Sequence, residues 1–353
     1  MPTLLHAGRL ARLLLPYCLT LLAATLAALA ARRLHVPLPW MLGPLFTVAA
    51  LRVGGLPLRA PPGGRQAGQW AIGTALGLYF TPQVVALIVD NAALVGGFAA
   101  ASVGIGVACA RLTYRFGRVD RPTAFFAALP GGASEMAVVA ERFGGAVDLI
   151  AAAHAIRVLL VVALVPVALT LSGAHGSDVF QPLAAEVRPE GLPALLLAGL
   201  GGCGLMGLAR IGNAWVLGPL LGVGLMTALG WTPSALPPWM VNGGQLLLGT
   251  ALGCRFAPGF FRSAPRFLAA AAGSSLLAIL LGLALALVAA PLSGAPLATL
   301  VLAAAPGGVA EMCITAKVLQ LGVPLVTVCH ALRVIVLTLA APAVYRALSR
   351  SRP

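Results

Sequence analysis

The stretch Ala128–Gly145, "ALPGGASEMAVVAERFGG", places a carboxylate, Glu135, three residues after a Pro-Gly-Gly break in an extremely apolar chain. The pattern recurs at Ala304–Gly322, "AAPGGVAEMCITAKVLQLG", where Glu311 keeps the same distance from Pro306, Gly307 and Gly308. Proline removes a backbone donor and paired glycines open dihedrals closed to other residues. Each break, Pro130-Gly131-Gly132 and Pro306-Gly307-Gly308, therefore ends one helical arm and starts another. The backbone groups left unpaired are prohibitive against lipid and tolerable only where protein or a cavity receives them.

The 353 residues are 60% hydrophobic and 9% charged, with a mean hydropathy of +0.98. No soluble domain could hide that apolar surface. Runs such as "YCLTLLAATLAALAA" and "SSLLAILLGLALALVAA" are continuously apolar, as helices in lipid are, and lack the alternation of barrel strands. The composition predicts an all-α polytopic membrane protein with roughly ten to twelve helical segments. The formal net charge is +14, but the arginines are scattered between apolar spans, which points to anionic membrane lipids and not to nucleic acid. The six cysteines lie in apolar segments without CxxC spacing, so neither a disulfide framework nor a metal site is expected. The basic N-terminal segment carries an apolar run long enough to span, and it reads as a retained first helix.

Sliding the chain on itself shows a duplication. Pro130 and Pro306, Glu135 and Glu311, and His154 and His330 are each separated by 176 residues, as are the two "GTALG" segments at Gly73 and Gly249, and Gln69 and Gln245. "WMLGPL" at Trp40 matches "WVLGPL" at Trp215 one residue earlier in register. The expected organisation is a first membrane repeat over residues 1–172, a polar linker over 173–190 and a second repeat over 191–353.

Arginine placement bears on orientation, because short cytoplasmic loops carry the excess of Lys and Arg. In the first half Arg52, Arg59 and Arg65 follow the second helix, and Arg111, Arg115, Arg118 and Arg121 follow the fourth. In the second half the pattern is exchanged, with Arg255, Arg262 and Arg266 between the third and fourth helices. Inversion follows if each PGGxxEM segment is a re-entrant hairpin, leaving about five crossings per half. Both termini are then cytoplasmic, in keeping with Arg9 and Arg12 at one end and Arg346, Arg350 and Arg352 at the other; Arg32 and Arg33 run against it. A broken helix crossing at PGG would instead give parallel repeats.

Glu135 and Glu311 sit in the first turn after each break, where helix amides favour an anion or a carboxylate. One reading is a cap on the carboxylate's own helix; the other is a proton or cation site. "HAIRV" and "HALRV" place His154 with Arg157, and His330 with Arg333, at i and i+3 on one face of the last helix of each half. A guanidinium near the bilayer centre needs an anion, supplied either by Glu135 for Arg157 and Glu311 for Arg333 or by an anionic substrate. GTALG contains GxxxG, whose plainer meaning is close helix packing. Gln69 and Gln245 are candidate cavity-lining residues or interhelical hydrogen-bonding groups.

The paired "LPGGASEM" with "HAIRV" and "APGGVAEM" with "HALRV", together with the duplicated GTALG, resemble the AbrB-duplication family of bacterial integral membrane proteins. The resemblance implies a multi-pass protein of the bacterial inner membrane, under the labels ammonia monooxygenase and AbrB-type regulator. From the residues, the leading expectation is a secondary transporter of a small, anionic solute coupled to protons or cations, with its site where the repeats meet. The expected partners are that solute, its coupling ion and lipids, with assembly into a homo-oligomer left open. A membrane regulator acting through a partner is the alternative, and a metal-dependent oxidase using Glu135, Glu311, His154 and His330 a weaker one. No catalytic residue and no cofactor are assigned.

Overall fold

The structure, a computed structural model, describes residues 2–176, 186–209 and 211–350. Residues 177–185 of the linker, Arg210, Arg352 and the side chains of Arg9 and Arg12 lie outside the described residues. Among those described the chain is helical and forms no strand. The first repeat runs α1 (Pro2–Arg33), α2 (Pro39–Val53), α3 (Gly64–Gly77), α4 (Pro82–Asp90), α5 (Ala92–Gly117), α6 (Arg121–Ala128), α7 (Ala133–Glu141) and α8 (Val147–Leu171). The second runs α9 (Leu192–Leu208), α10 (Ala214–Ala228), α11 (Pro238–Gly253), α12 (Phe260–Ser263), α13 (Pro265–Ser293), α14 (Leu297–Ala304), α15 (Val309–Leu319) and α16 (Val323–Arg350). Six helical segments among the described residues, three in each repeat, are long and apolar enough to cross a membrane.

The sixteen α-helices among the described residues exceed the expected ten to twelve because three kinds of segment are broken. Besides the PGG breaks, the helix carrying the first GTALG does not run on as one straight span. It turns by 88° from α3 into α4, where Pro82 cannot continue a helical ladder and Thr81 caps the new arm through Val84 N (3.3 Å). The corresponding chain after α11 makes only the short α12.

The helices divide into two compact units that cut across the repeats. The first comprises residues 1–71 and 237–263. In it α2 packs against α1 and α11, around Ala24, Val48, Leu58 and Leu246. The second comprises residues 72–236 and 264–353. There α9 packs on α10, and a layer of α5, α8, α13 and α16 surrounds the short arms α6, α7, α14 and α15. GTALG is the close-packing element of both units. In the first, a Cβ on Gly249 would overlap the Met41 carbonyl of α2; in the second, one on Gly73 would overlap the Val216 carbonyl of α10. These helices approach to backbone contact, which small residues alone permit.

Each PGG segment is a re-entrant hairpin. Its arms are eight and nine residues long in the first repeat, about 12–14 Å at 1.5 Å per residue, against the ~30 Å of a bilayer core. The chain also returns to where it started: Ala146 N, at the head of α8, donates to Thr123 Oγ1 at the head of α6 (2.8 Å). In the second repeat Gly322 lies against Thr299 in the same way, a Cβ there falling 2.6 Å from Thr299 Cγ2.

The repeats are inverted. α5 and α13 occupy equivalent places, and they pack antiparallel. Cys109 and Ser274 exchange side-chain to carbonyl hydrogen bonds of 3.4 Å, while further along α5 the Phe116 carbonyl accepts from Arg266 Nε (2.9 Å), which lies further back along α13. Equivalent helices thus cross in opposite senses, as the exchanged arginine pattern implied.

Two outcomes check this architecture. Gly73→Leu and Gly249→Leu are expected to lower thermal stability in detergent by about 1–3 kcal/mol, the cost of overpacking, whereas Gly96→Leu, with nothing within 4 Å of its Cβ position, leaves it unchanged. In a cysteine-free background, Arg118→Cys and Gly294→Cys, at equivalent helix ends, are expected to label from opposite membrane faces; labelling from one face would contradict inversion.

Candidate functional site

In a continuous helix the amide of residue 130 would donate to the carbonyl of residue 126. Pro130 has no amide proton, so the Phe126 carbonyl is orphaned in a buried place. The structure supplies the missing donor from the last helix: His154 Nε2 lies 3.0 Å from Phe126 O. Within the break itself, Leu129 O and Gly131 O accept from Arg157 Nη1 (2.7 Å) and Nη2 (3.2 Å). His154 and Arg157 are both buried, and Arg157 Nη2 also meets His154 Nδ1 at 2.8 Å.

The second repeat reproduces these side-chain contacts. Pro306 removes the usual i+4 donor from Leu302 O, which takes His330 Nε2 (2.8 Å) beside a longer bond from Ala305 N (3.3 Å). Arg333 donates to Ala305 O (2.6 Å) and Gly307 O (2.5 Å) and meets His330 Nδ1 at 2.8 Å. A carbonyl only accepts and a guanidinium only donates, so both rings must carry their proton on Nε2 and accept at Nδ1. Each His and Arg pair is a clamp that stands in for deleted helix bonds. It also sets the hairpin's direction, because residues 154 and 157 face 126 and 129, and α8 therefore runs parallel to α6.

The carboxylates are used differently from either expected ion pair. Glu135 folds back over Gly132, the N-cap of α7, so that a Cβ on Gly132 would overlap Oε2. Its Oε1 accepts from Asn213 N (2.9 Å), in the turn before α10 of the other repeat. Gly212 is pressed against the same carboxyl, and Asn213 holds the left-handed conformation (φ 62) that asparagine tolerates. Glu311, 8% exposed, folds over Gly308 in the same manner. Both carboxylates thus occupy the position at the head of a helix arm where an anion is favoured. The hydrogen bonds of Arg157 and Arg333 go to carbonyls and histidines, and neither arginine pairs with Glu135 or Glu311. Carbonyls compete successfully because the proline break leaves them no other buried donor.

In both guanidiniums the Nε atom, of Arg157 and of Arg333, is buried without a hydrogen-bond partner. Arg157 borders a small space walled by Thr113, Ser274 and Ser275. The tip of the second hairpin reaches the last helix of the first repeat, with Gly307 closely packed on Val161. The structure therefore brings Arg157, Arg333, Glu135, Glu311, His154, His330 and both PGG breaks into one compact unit. Gln69 and Gln245 are buried but belong to the other unit. With both ring nitrogens engaged, neither histidine is free to ligate a metal, and among the described residues no cluster of three His, Cys, Asp or Glu side chains suited to one is found.

Two participants were missed by sequence reasoning. Asn213 carries no motif, and its role rests on a backbone amide. Lys317 lies with Nζ 5.7 Å from the Tyr79 ring centroid at the bend between α3 and α4. The 176-residue offset matches Lys317 with Glu141, and that reversal of charge between repeats was a signal open to inspection.

The family described as Transition state regulatory protein AbrB matches residues 40–349, which takes in both hairpins and both clamps. The chain belongs to the AbrB family. Among curated relatives, a Bacillus subtilis (strain 168) protein named "Uncharacterized protein YhjN" is 27% identical over 297 residues, covering 80% of this chain and 77% of that one. An Escherichia coli (strain K12) protein named "Putative regulator AbrB" is 25% identical over 328 residues, covering 90% and 92%. No solved structure matches the chain.

The clamp predicts a thermodynamic coupling. His154→Ala leaves Phe126 O unpaired and is expected to cost about 1–3 kcal/mol in thermal unfolding in detergent. Pro130→Ala restores an amide to that carbonyl, so in the double variant part of the loss should be recovered. Strict additivity would disprove the replacement of one donor by the other.

Proposed function

We propose that this AbrB-family protein is a secondary transporter of a small anionic solute, coupled to protons or cations, in the bacterial inner membrane with both termini cytoplasmic. The observation that carries the reading is the pair of inverted re-entrant hairpins in one packed unit, whose buried arginines each retain an unpaired Nε donor. Discontinuous helices of this kind are how many secondary transporters build a site near the midplane. Each Glu holds the anion position at the head of its own arm, acting as an internal stand-in for the substrate. Protonation of Glu135 would cancel the charge that draws the Asn213 amide, loosening the contact between one repeat's hairpin and the other repeat's α9–α10 turn. Proton loading, anion entry and repeat movement are joined in that one step.

The test is uptake of small anions into proteoliposomes under an imposed proton or sodium gradient. Wild-type protein is expected to accumulate solute, and Glu135→Gln or Glu311→Gln to lose the gradient dependence while remaining folded, with thermal stability lowered by about 1 kcal/mol, the worth of a lost charge-assisted contact. Unchanged pH dependence in both variants would return the carboxylates to capping alone. The names of one relative and of the family favour a second reading, a regulator acting through a partner. Absence of uptake under either gradient, together with altered transcript levels in a deletion strain, would select it.

A further inference from the structure

At the ends of α5, α6 and α16 lies a groove of about 300 Å³ that neither the hairpins nor the clamps use. Its polar rim is Arg111, Tyr114, Arg121 and Tyr345, and its inner wall is apolar, with Val107 and Ala110. The Arg121 guanidinium stands 5.9 Å from the Tyr114 ring centroid, and Tyr345 packs on Phe125 with centroids 5.3 Å apart. The adjacent acid, Asp120, spends its carboxylate on Thr123 N (3.0 Å) and Oγ1 (2.7 Å), at the head of α6. Among the described residues Arg111 and Arg121 make no ion pair, and with the neighbouring Asp120 counted the rim keeps a net positive charge.

The duplication supplies an internal control. The 176-residue offset carries Arg111, Tyr114, Arg121 and Tyr345 onto Leu287, Ala290, Leu297 and Leu169. The same three-helix arrangement on the inverted repeat therefore has no cation and no phenol. Because the repeats face opposite ways, the charged groove exists on one membrane face and its apolar counterpart on the other. Generic apolar filling would not differ between two copies of one scaffold in this way.

We propose that this groove binds the headgroup of an anionic phospholipid, with the phosphate between Arg111 and Arg121 and an acyl chain against Val107 and Ala110. Two guanidinium forks suit phosphate oxygens, the tyrosines are amphipathic side chains of the kind that sit at headgroup level, and an anionic leaflet attracts such a site. The apolar wall distinguishes a lipid from a free anion, which would have no use for it. This inference stands apart from the transport reading and does not depend on it.

Native mass spectrometry of the full chain, exchanged into mixed phosphatidylglycerol and phosphatidylcholine, tests it. The wild type is expected to retain phosphatidylglycerol preferentially, and Arg111→Gln with Arg121→Gln to lose that preference by about fivefold per arginine. Arg32→Gln with Arg33→Gln, which removes equal charge elsewhere, should leave it intact. Val107→Trp fills the groove while keeping both arginines, and it should abolish retention. An unchanged preference in either groove variant, an equal loss in the Arg32 and Arg33 control, or displacement of the lipid by millimolar inorganic phosphate would overturn the proposal.

Discussion

The hydrogen bond that Pro130 and Pro306 cannot make is the constraint from which the rest of the architecture follows. A carbonyl without a donor is tolerable in water and expensive in a membrane interior. His154 and His330 replace the lost amides, and Arg157 and Arg333 take the two carbonyls inside each break. To deliver those donors in order, the last helix of each repeat must run parallel to the arm before the break. A chain that leaves and rejoins a parallel neighbour has to double back, so the segment is a hairpin. Equivalent helices of the two repeats, α5 and α13, then run antiparallel to one another.

This also explains why the two copies agree so closely at some positions and not at others. The clamp residues satisfy backbone atoms, whose number and spacing are the same in both repeats, and the glycines of GTALG answer the same close approach to a neighbouring backbone in each unit. Side chains at a bend or at the helix ends meet no such demand. There the copies part: Lys317 against Glu141, and the arginine and tyrosine rim at the end of α5 against leucines and alanine.

Several features of the site were legible in the residues. The break, its repetition and the sharing of one helix face by His and Arg all follow from local rules of proline, glycine and the 3.6-residue turn. Of the two partners expected for the arginine, the ion pair with Glu weighed charge against charge and left out the carbonyls at the break, which the guanidiniums take instead. The backbone amide of Asn213 beside Glu135 could not have been inferred, since every residue but proline has an amide and nothing in the side chain marks it. The 88° turn after GTALG falls at Thr81 and Pro82, a helix cap and a residue that cannot continue a helical ladder.

Membrane class, helical content, duplication and the existence of two breaks were determined by the sequence alone, because each depends on composition or on interactions between residues a few places apart. Only the tertiary structure decided that the breaks are hairpins, that His and Arg serve carbonyls, and that Glu135 reaches across to the other repeat. Those outcomes depend on which unpaired donor and acceptor come within about 3 Å of one another. Chain pairs separated by tens of residues reach that distance only after the helices have packed.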